Sequence, residues 1–187
     1  MSTTPSNDSS PTGINGAGSN GAPNGASAQN ASDTRPEFSM QKIYLKDVSF
    51  ESPRTPEVFL SRWDGKTNVQ MNTTATRLEQ QDDLYEVELQ LTVTTDNEDK
   101  TAYLCEIRQA GVFLIRGFEA AQREALLGAY CPNVLFAFAR EAVADLVQKG
   151  GFPQLLLQPV NFDALYQQHL AQRQAGQGSQ APVPPVA

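Results

Sequence analysis

The chain is poor in the groups that build metal and thiol chemistry. Its 187 residues include one histidine, His169, and two cysteines, Cys105 and Cys131. Two cysteines are too few for a disulfide scaffold or a zinc site, and a reducing compartment is the simplest setting for them. A single histidine leaves a metal centre or a catalytic pair without partners. There is no Gly-rich phosphate loop, no G-x-S-x-G and no H-E-x-x-H, so neither a resident cofactor nor a metal is expected. No apolar run reaches 18 residues, so no membrane-spanning helix is expected. The first residues show no basic-then-apolar leader. Positive charge is scarce as well. Fourteen Lys and Arg stand against 21 Asp and Glu, a net charge of −7, which is the wrong sign for holding a phosphate backbone. One nucleophile-and-base pair, Cys131 with His169, is formally available. A helix start just after Cys131 would lower its thiol pKa. A small buried side chain is the simpler reading of Cys131, and of Cys105, which alternates with Tyr103 and Ile107. An enzyme is not expected.

What is present falls into three parts. In residues 1–38, 30 positions are Ser, Thr, Pro, Asn, Gly or Ala. Such a stretch buries too little to offset the entropy of ordering and reads as a disordered tail. Residues 173–187 form a second, flexible tail of Gln, Gly, Ala and Pro. Between them, residues 39–172 carry 12 basic and 18 acidic side chains, so the acidity belongs to the folded domain.

The folded part reads as strands first and helices last, an α+β domain. Residues 41–51 form a strand ended by Pro53 and Pro56. Residues 68–76 form a weaker strand, with Val69, Met71 and Ala75 on one face. Residues 84–95 alternate strictly, Tyr85, Val87, Leu89, Leu91 and Val93 against Glu86, Glu88, Gln90 and Thr92. Residues 94–99 give a hairpin turn, and a fourth strand covers 101–109. Ala110-Gly111 suggests a bulge before the apolar 112–115. Short turns between strands argue for an antiparallel sheet. Three helices follow: one over 119–128, one starting at Pro132 and capped by Gly150-Gly151, and one over 162–172 capped by Asn161.

Two patterns point beyond a lone globule. On the 132–149 helix the apolar residues cover about 220°, against the ≳100° stripe that one core contact needs. The surplus face, with Phe138 and Val143 on the helix, predicts packing on another subunit or, as the second reading, on more of the same chain. Between Glu79 and Asp99 there are eight carboxylates and no basic residue. These read as a solvated outer sheet face or as a docking surface for a basic partner.

The words IYLKDVSFESP (43–53), AYLCEIRQAGVF (102–113), LGAYCPNVLFAFARE (127–141) and GGFPQLLLQPVNFDALY (150–166) resemble SecB, the bacterial protein-export chaperone family. The similarity covers about 41–170, and its last two words are long and specific. The resemblance implies a four-stranded antiparallel sheet with C-terminal helices, assembled as a homotetramer, a dimer of dimers. It implies an ATP-independent cytoplasmic holdase that keeps secretory precursors unfolded and passes them to the export ATPase SecA. It implies no nucleotide and no metal of its own, zinc belonging to SecA's basic tail. By matching positions, SecA would dock on Asp47, Glu51, Leu104 and Glu106. The client groove would use Phe59 and Trp63 on the loop after the first strand and Leu165, Tyr166 and Leu170 on the last helix, with Val69 and Met71 extending it. Tyr166 stands where the family commonly has Phe. Each of these residues also has a plain reading as ordinary core or solvated surface. Cys105 and Ile107 on the fourth strand join Phe138 and Val143 as the expected oligomer interface. Other readings stay open at this point: a general holdase without a role in export, or an oligomeric module that holds a small apolar ligand in a closed pocket.

Overall fold

The structure, a computed structural model, describes residues 35–79, 81 and 83–177, with residues 176 and 177 described in backbone only. Most of the expected N-terminal tail and the C-terminal tail beyond 177 lie outside the described residues. Four strands come first: β1 Glu37–Glu51, β2 Lys66–Arg77, β3 Leu84–Asn97 and β4 Lys100–Arg116. They form one antiparallel sheet in the order β1-β4-β3-β2, as the turn spacing predicts. The β3–β4 hairpin closes through Glu98 and Asp99, both at positive φ (54° and 57°), the conformation a two-residue turn requires.

The strict alternation of β3 has the expected consequence. Val87, Leu89, Leu91 and Val93 are fully buried on the inner face, beside Cys105 and Ile107 of β4. The helix α2, Cys131–Lys149, lies over β4 and β3 and closes this core with Leu135, Ala139, Val143 and Val147.

Several expectations are corrected. β1 begins at Glu37 rather than 41, inside the stretch read as tail, because Phe38 has a core partner: it stacks on Phe113 at 5.9 Å. β4 runs unbroken through Ala110-Gly111, and the irregularities fall elsewhere: on β1 between Met40 and Lys42 and between Leu45 and Asp47, and at Ala102 of β4 opposite Thr95 and Asp96. Gly111 is small for another reason. A Cβ there would lie 3.1 Å from Leu135 of α2, so glycine lets the helix approach the sheet. No new helix starts at Pro132. Helix α1, Ala120–Ala125, passes through one π turn, Leu126–Tyr130, into α2. A wider turn accommodates a residue that has no N–H to donate. The last helix, α3, spans Phe162–Gln177, past the expected end at 172.

The expected interface residues also divide. Cys105, Ile107 and Val143 are wholly buried within this single chain, so none of them offers a surface to a partner. Period-two and helical patterns mark apolar faces, but both faces of the pair α2 and β4 are spent on one another. Phe138 is the exception, 43% exposed on the side of α2 turned from the sheet.

Candidate functional site

An apolar groove follows from the sheet order. Strand β2 is an edge, and its inner face carries Thr67, Val69, Met71, Thr73 and Ala75 in register with the buried inner residues of β3. Because α2 is centred on β4 and β3, this strip is not sealed, and Val69 remains 43% exposed. Two adjoining hollows lie along it and share Met71. The first, about 330 Å³, has Val69, Leu91 and Phe136 as its floor and Leu155, Leu156 and Val160 as its wall. The second, about 530 Å³, runs between β2 and α3, against Leu127, Phe162, Leu165 and Tyr166. Glu124, His169 and Arg173 give it a polar margin.

Glycines set the depth of this groove. A Cβ on Gly128 would sit 2.5 Å from the Tyr166 ring, so the bare backbone of the π turn is the surface on which that ring lies. At the other end of β2 is an aromatic cluster centred on Phe152. Phe59 and Trp63 lie 5.2 and 5.4 Å from its ring, and Tyr103 lies 4.8 Å away. Phe59 and Trp63 stay partly exposed while Phe152 is buried.

Of the residues expected at a groove, Val69, Met71, Leu165 and Tyr166 line the two hollows, and Phe59 and Trp63 share the aromatic cluster. Leu170 is half-buried on α3 and lines neither hollow. Sequence reasoning missed the wall formed by Leu155, Leu156 and Val160. The run PQLLLQPV has neither a two-residue nor a helical period, so only its placement across from β2 reveals it.

The outer face of the same sheet is polar and has two parts. In one, Tyr44, Ala110 and Glu88 lie in one cross-strand row. Lys46, at the irregularity of β1, reaches across Ala110 to Glu86 at 2.9 Å and Glu88 at 3.1 Å. Tyr44 donates to Glu86, and Arg108 pairs with Glu88 at 2.5 Å. The bonds from Tyr44 and Lys46 hold the Glu86 carboxyl below its ordinary range. For Glu88, burial works to raise the pKa, and donation from Arg108 and Lys46 outweighs it. Tyr44 is pushed up to about 12, first by burial and then by Glu86. These charges are internally neutralised. In the other part the rows are Asp47 with Arg108, Ser49 with Glu106, and Glu51 with Leu104. Asp47, Glu51, Leu104 and Glu106, named separately from the sequence, therefore come together on one patch. Asp47 and Glu51 are exposed, and Glu106 accepts a hydrogen bond from Thr92 at 3.1 Å.

The thiols are of a different kind. Both are buried, and burial pushes Cys105 up to about 11 and Cys131 up to about 12. The helix-start argument for an activated Cys131 does not apply, since the residue sits inside a continuous helical run. Among the described residues no group of three His, Cys, Asp or Glu side chains converges as a metal site would require.

Comparison with known proteins completes the description. The family model described as preprotein translocase subunit SecB matches residues 31–173. The protein-export protein SecB of Thioalkalivibrio sulfidiphilus is 60% identical over 148 residues, which covers 79% of this chain and 88% of the relative. That of Halorhodospira halophila is 50% identical over 161 residues, 85% of this chain and 92% of the relative. Among solved structures, a SecB-like chaperone of Mycobacterium tuberculosis in complex with a ChAD peptide from the HigA1 antitoxin superposes with a TM-score of 0.56. It is 15% identical and covers 66% of this chain and 90% of its own, so it bears on the fold alone.

Proposed function

The chain belongs to the SecB family, and from that premise we propose that it is an ATP-independent holdase that keeps secretory precursors unfolded and delivers them to SecA. The observation that carries this reading is the unsealed apolar strip along β2, where two adjoining hollows that share Met71 run from Val69 to Tyr166. An unfolded client still exposes the side chains that its folding would hide, and such a strip takes them without reading one sequence. Burial returns roughly 25 cal/mol per Å², so a few side chains give modest affinity. Several grooves on one oligomer raise avidity by about 10²–10⁴ when one long chain spans them. The hollows are open trenches between β2 and its neighbours, which favours a chain over a small ligand held in a closed pocket.

The finer parts of the proposal rest on position. Phe59, Trp63, Val69, Met71, Leu165, Tyr166 and Leu170 form the client surface. Asp47, Glu51, Leu104 and Glu106 form the SecA-docking patch, where the excess of carboxylates suits a basic tail. A homotetramer is supported by apolar surface with no partner in one chain: Met40, Leu45 and Val48 on edge strand β1, and Phe138 on α2, are 42–50% exposed. Phe138→Asp should then lower the oligomer's mass; an unchanged mass would count against that interface. The cytoplasm, where precursors meet the export machinery, is the proposed location. The test of the whole is binding of a denatured secretory precursor without nucleotide, with the native form as control. Tight binding of the unfolded form alone, at about one chain per oligomer, is expected. Equal binding of both forms would overturn the holdase reading.

A further inference from the structure

Trp63 is the single tryptophan of the chain, and it lies on the loop between the 3₁₀ turn Glu57–Leu60 and β2. Loops of this kind, half-exposed and without secondary structure, are ordinarily mobile. This one is held by a side chain from elsewhere. Asn97, the last residue of β3, is completely buried. Its Oδ1 accepts from the Asp64 backbone N–H at 2.7 Å. Its Nδ2 donates to the Arg62 carbonyl at 3.2 Å and to the Ser61 hydroxyl at 3.1 Å. The bonded groups flank Trp63 on both sides, and both amide hydrogens are used. The hold extends further: the Ser61 hydroxyl donates to the Val58 carbonyl, and Arg54 donates to the Asn97 carbonyl. Gly65 completes the seat, since a Cβ there would lie 2.5 Å from Cζ2 of the Trp63 indole. The ring is therefore fixed from below by glycine and from the side by Phe152, 5.4 Å away.

We propose that Asn97 is the positioning residue for the aromatic end of the groove, presetting Trp63 as a fixed wall for aromatic and large aliphatic client segments. The inference rests on the client-groove reading above and adds a residue to it that touches no client. Its advantage is physical. A wall already ordered spares binding the cost of immobilising a large side chain and its loop. Asn is the side chain suited to this role. It offers two donors and an acceptor in one plane, and a buried carboxylate in its place would leave two acceptors facing one another.

The experiment uses the full chain and its intrinsic fluorescence. Asn97→Ala and Gly65→Ala are compared with the parent, first without client and then with a reduced, carboxymethylated, permanently unfolded secretory protein as probe. Ser61→Ala, which removes one of the three Asn97 bonds together with the bond to the Val58 carbonyl, guards against misfolding of the first variant. Without client, Trp63 emission should move to longer wavelength in Asn97→Ala and Gly65→Ala and by less in Ser61→Ala. With the probe, affinity should fall roughly three- to tenfold, the range one or two reordered side chains would cost. Emission unchanged in Asn97→Ala would overturn the clamp, whether or not Gly65→Ala shifts it. Shifted emission with unaltered affinity would overturn its role in the groove. Failure of the parent to bind the probe would instead strike the holdase reading, and the client-free emission would still decide whether Asn97 sets Trp63.

Discussion

On strand β3, Leu89 and Leu91 point into the core and are wholly buried, while Glu86 and Glu88 of the same strand point outward into a lattice of charges. The two faces are about equally regular in sequence, yet they are completed by different means. The inner face is closed by α2 where β4 and β3 lie beneath it, and it stays open toward both edges, along β2 and at Met40, Leu45 and Val48 of β1. The outer face is neutralised where Lys46 and Arg108 reach Glu86 and Glu88, and it stays acidic only toward Asp47, Glu51 and Glu106. In each case the available surface is what the neighbouring elements do not cover. One face leaves apolar area and the other leaves negative charge, so two partners of opposite chemistry can be served without competing for space.

This contrast can be broken most severely from the inner face. Ile107→Ala should cost about 2–5 kcal/mol, the penalty for a cavity in a packed core, read as a lower denaturant midpoint at fixed protomer concentration. A loss below about 1 kcal/mol would mean that the site collapses or is not core. Next is the open strip. Met71→Glu places a carboxylate where the two hollows meet, and it should weaken binding of an unfolded chain by roughly tenfold or more, since apolar contact there is replaced by a group that must keep its water. Its thermal stability should change little, because Met71 lies at the edge of the core. Parent-like client affinity by titration would remove the strip from the binding surface.

The outer face should respond more mildly. Asp47→Lys with Glu51→Lys should weaken docking of a Lys-rich peptide severalfold and flatten its salt dependence, as exposed charges act through a screened field. Client binding should not change, which separates the two faces directly. The smallest effect concerns pH. Glu86 is held below the ordinary value of 4.5 by Tyr44 and Lys46. A depressed carboxylate contributes stability that is complete above its unfolded value and is lost as pH falls through the lower folded value. Glu86→Gln should therefore lose stability at pH 7 relative to the parent, and the difference should shrink on acidification below about 4. A gap that persists unchanged at pH 2–3 would show that the lattice contributes through packing rather than charge.

How far the sequence carried depends on the kind of information each feature needs. The antiparallel sheet was legible because β3 alternates strictly and residues 94–99 carry turn chemistry, although β3 runs on to Asn97 and only Glu98 and Asp99 make the turn. The docking patch was legible because Asp47 and Glu51 share a strand face, as do Leu104 and Glu106. Their meeting depends on β1 pairing with β4, the first strand with the last. The interface expectation for Cys105, Ile107 and Val143 failed for a related reason. An apolar face is visible in one dimension, but whether the same chain or another copy covers it is a question of which elements lie opposite. Leu155, Leu156 and Val160 carry no periodicity at all, and Asn97 looks in sequence like one more polar turn residue.

The sequence by itself determined the local order: four strands before the helices, which side of the central strands is apolar, and that acid outweighs base. These are set by periods of two and 3.6, by turn chemistry and by composition, all short-range properties of the chain. Only the tertiary structure decided that β2 lies at an edge with its apolar face unsealed, that Lys46 and Arg108 neutralise one part of the outer face, and that Asn97 reaches the loop around Trp63. Those outcomes depend on which distant segments lie side by side, and they are fixed by burial and hydrogen-bond satisfaction across the whole domain.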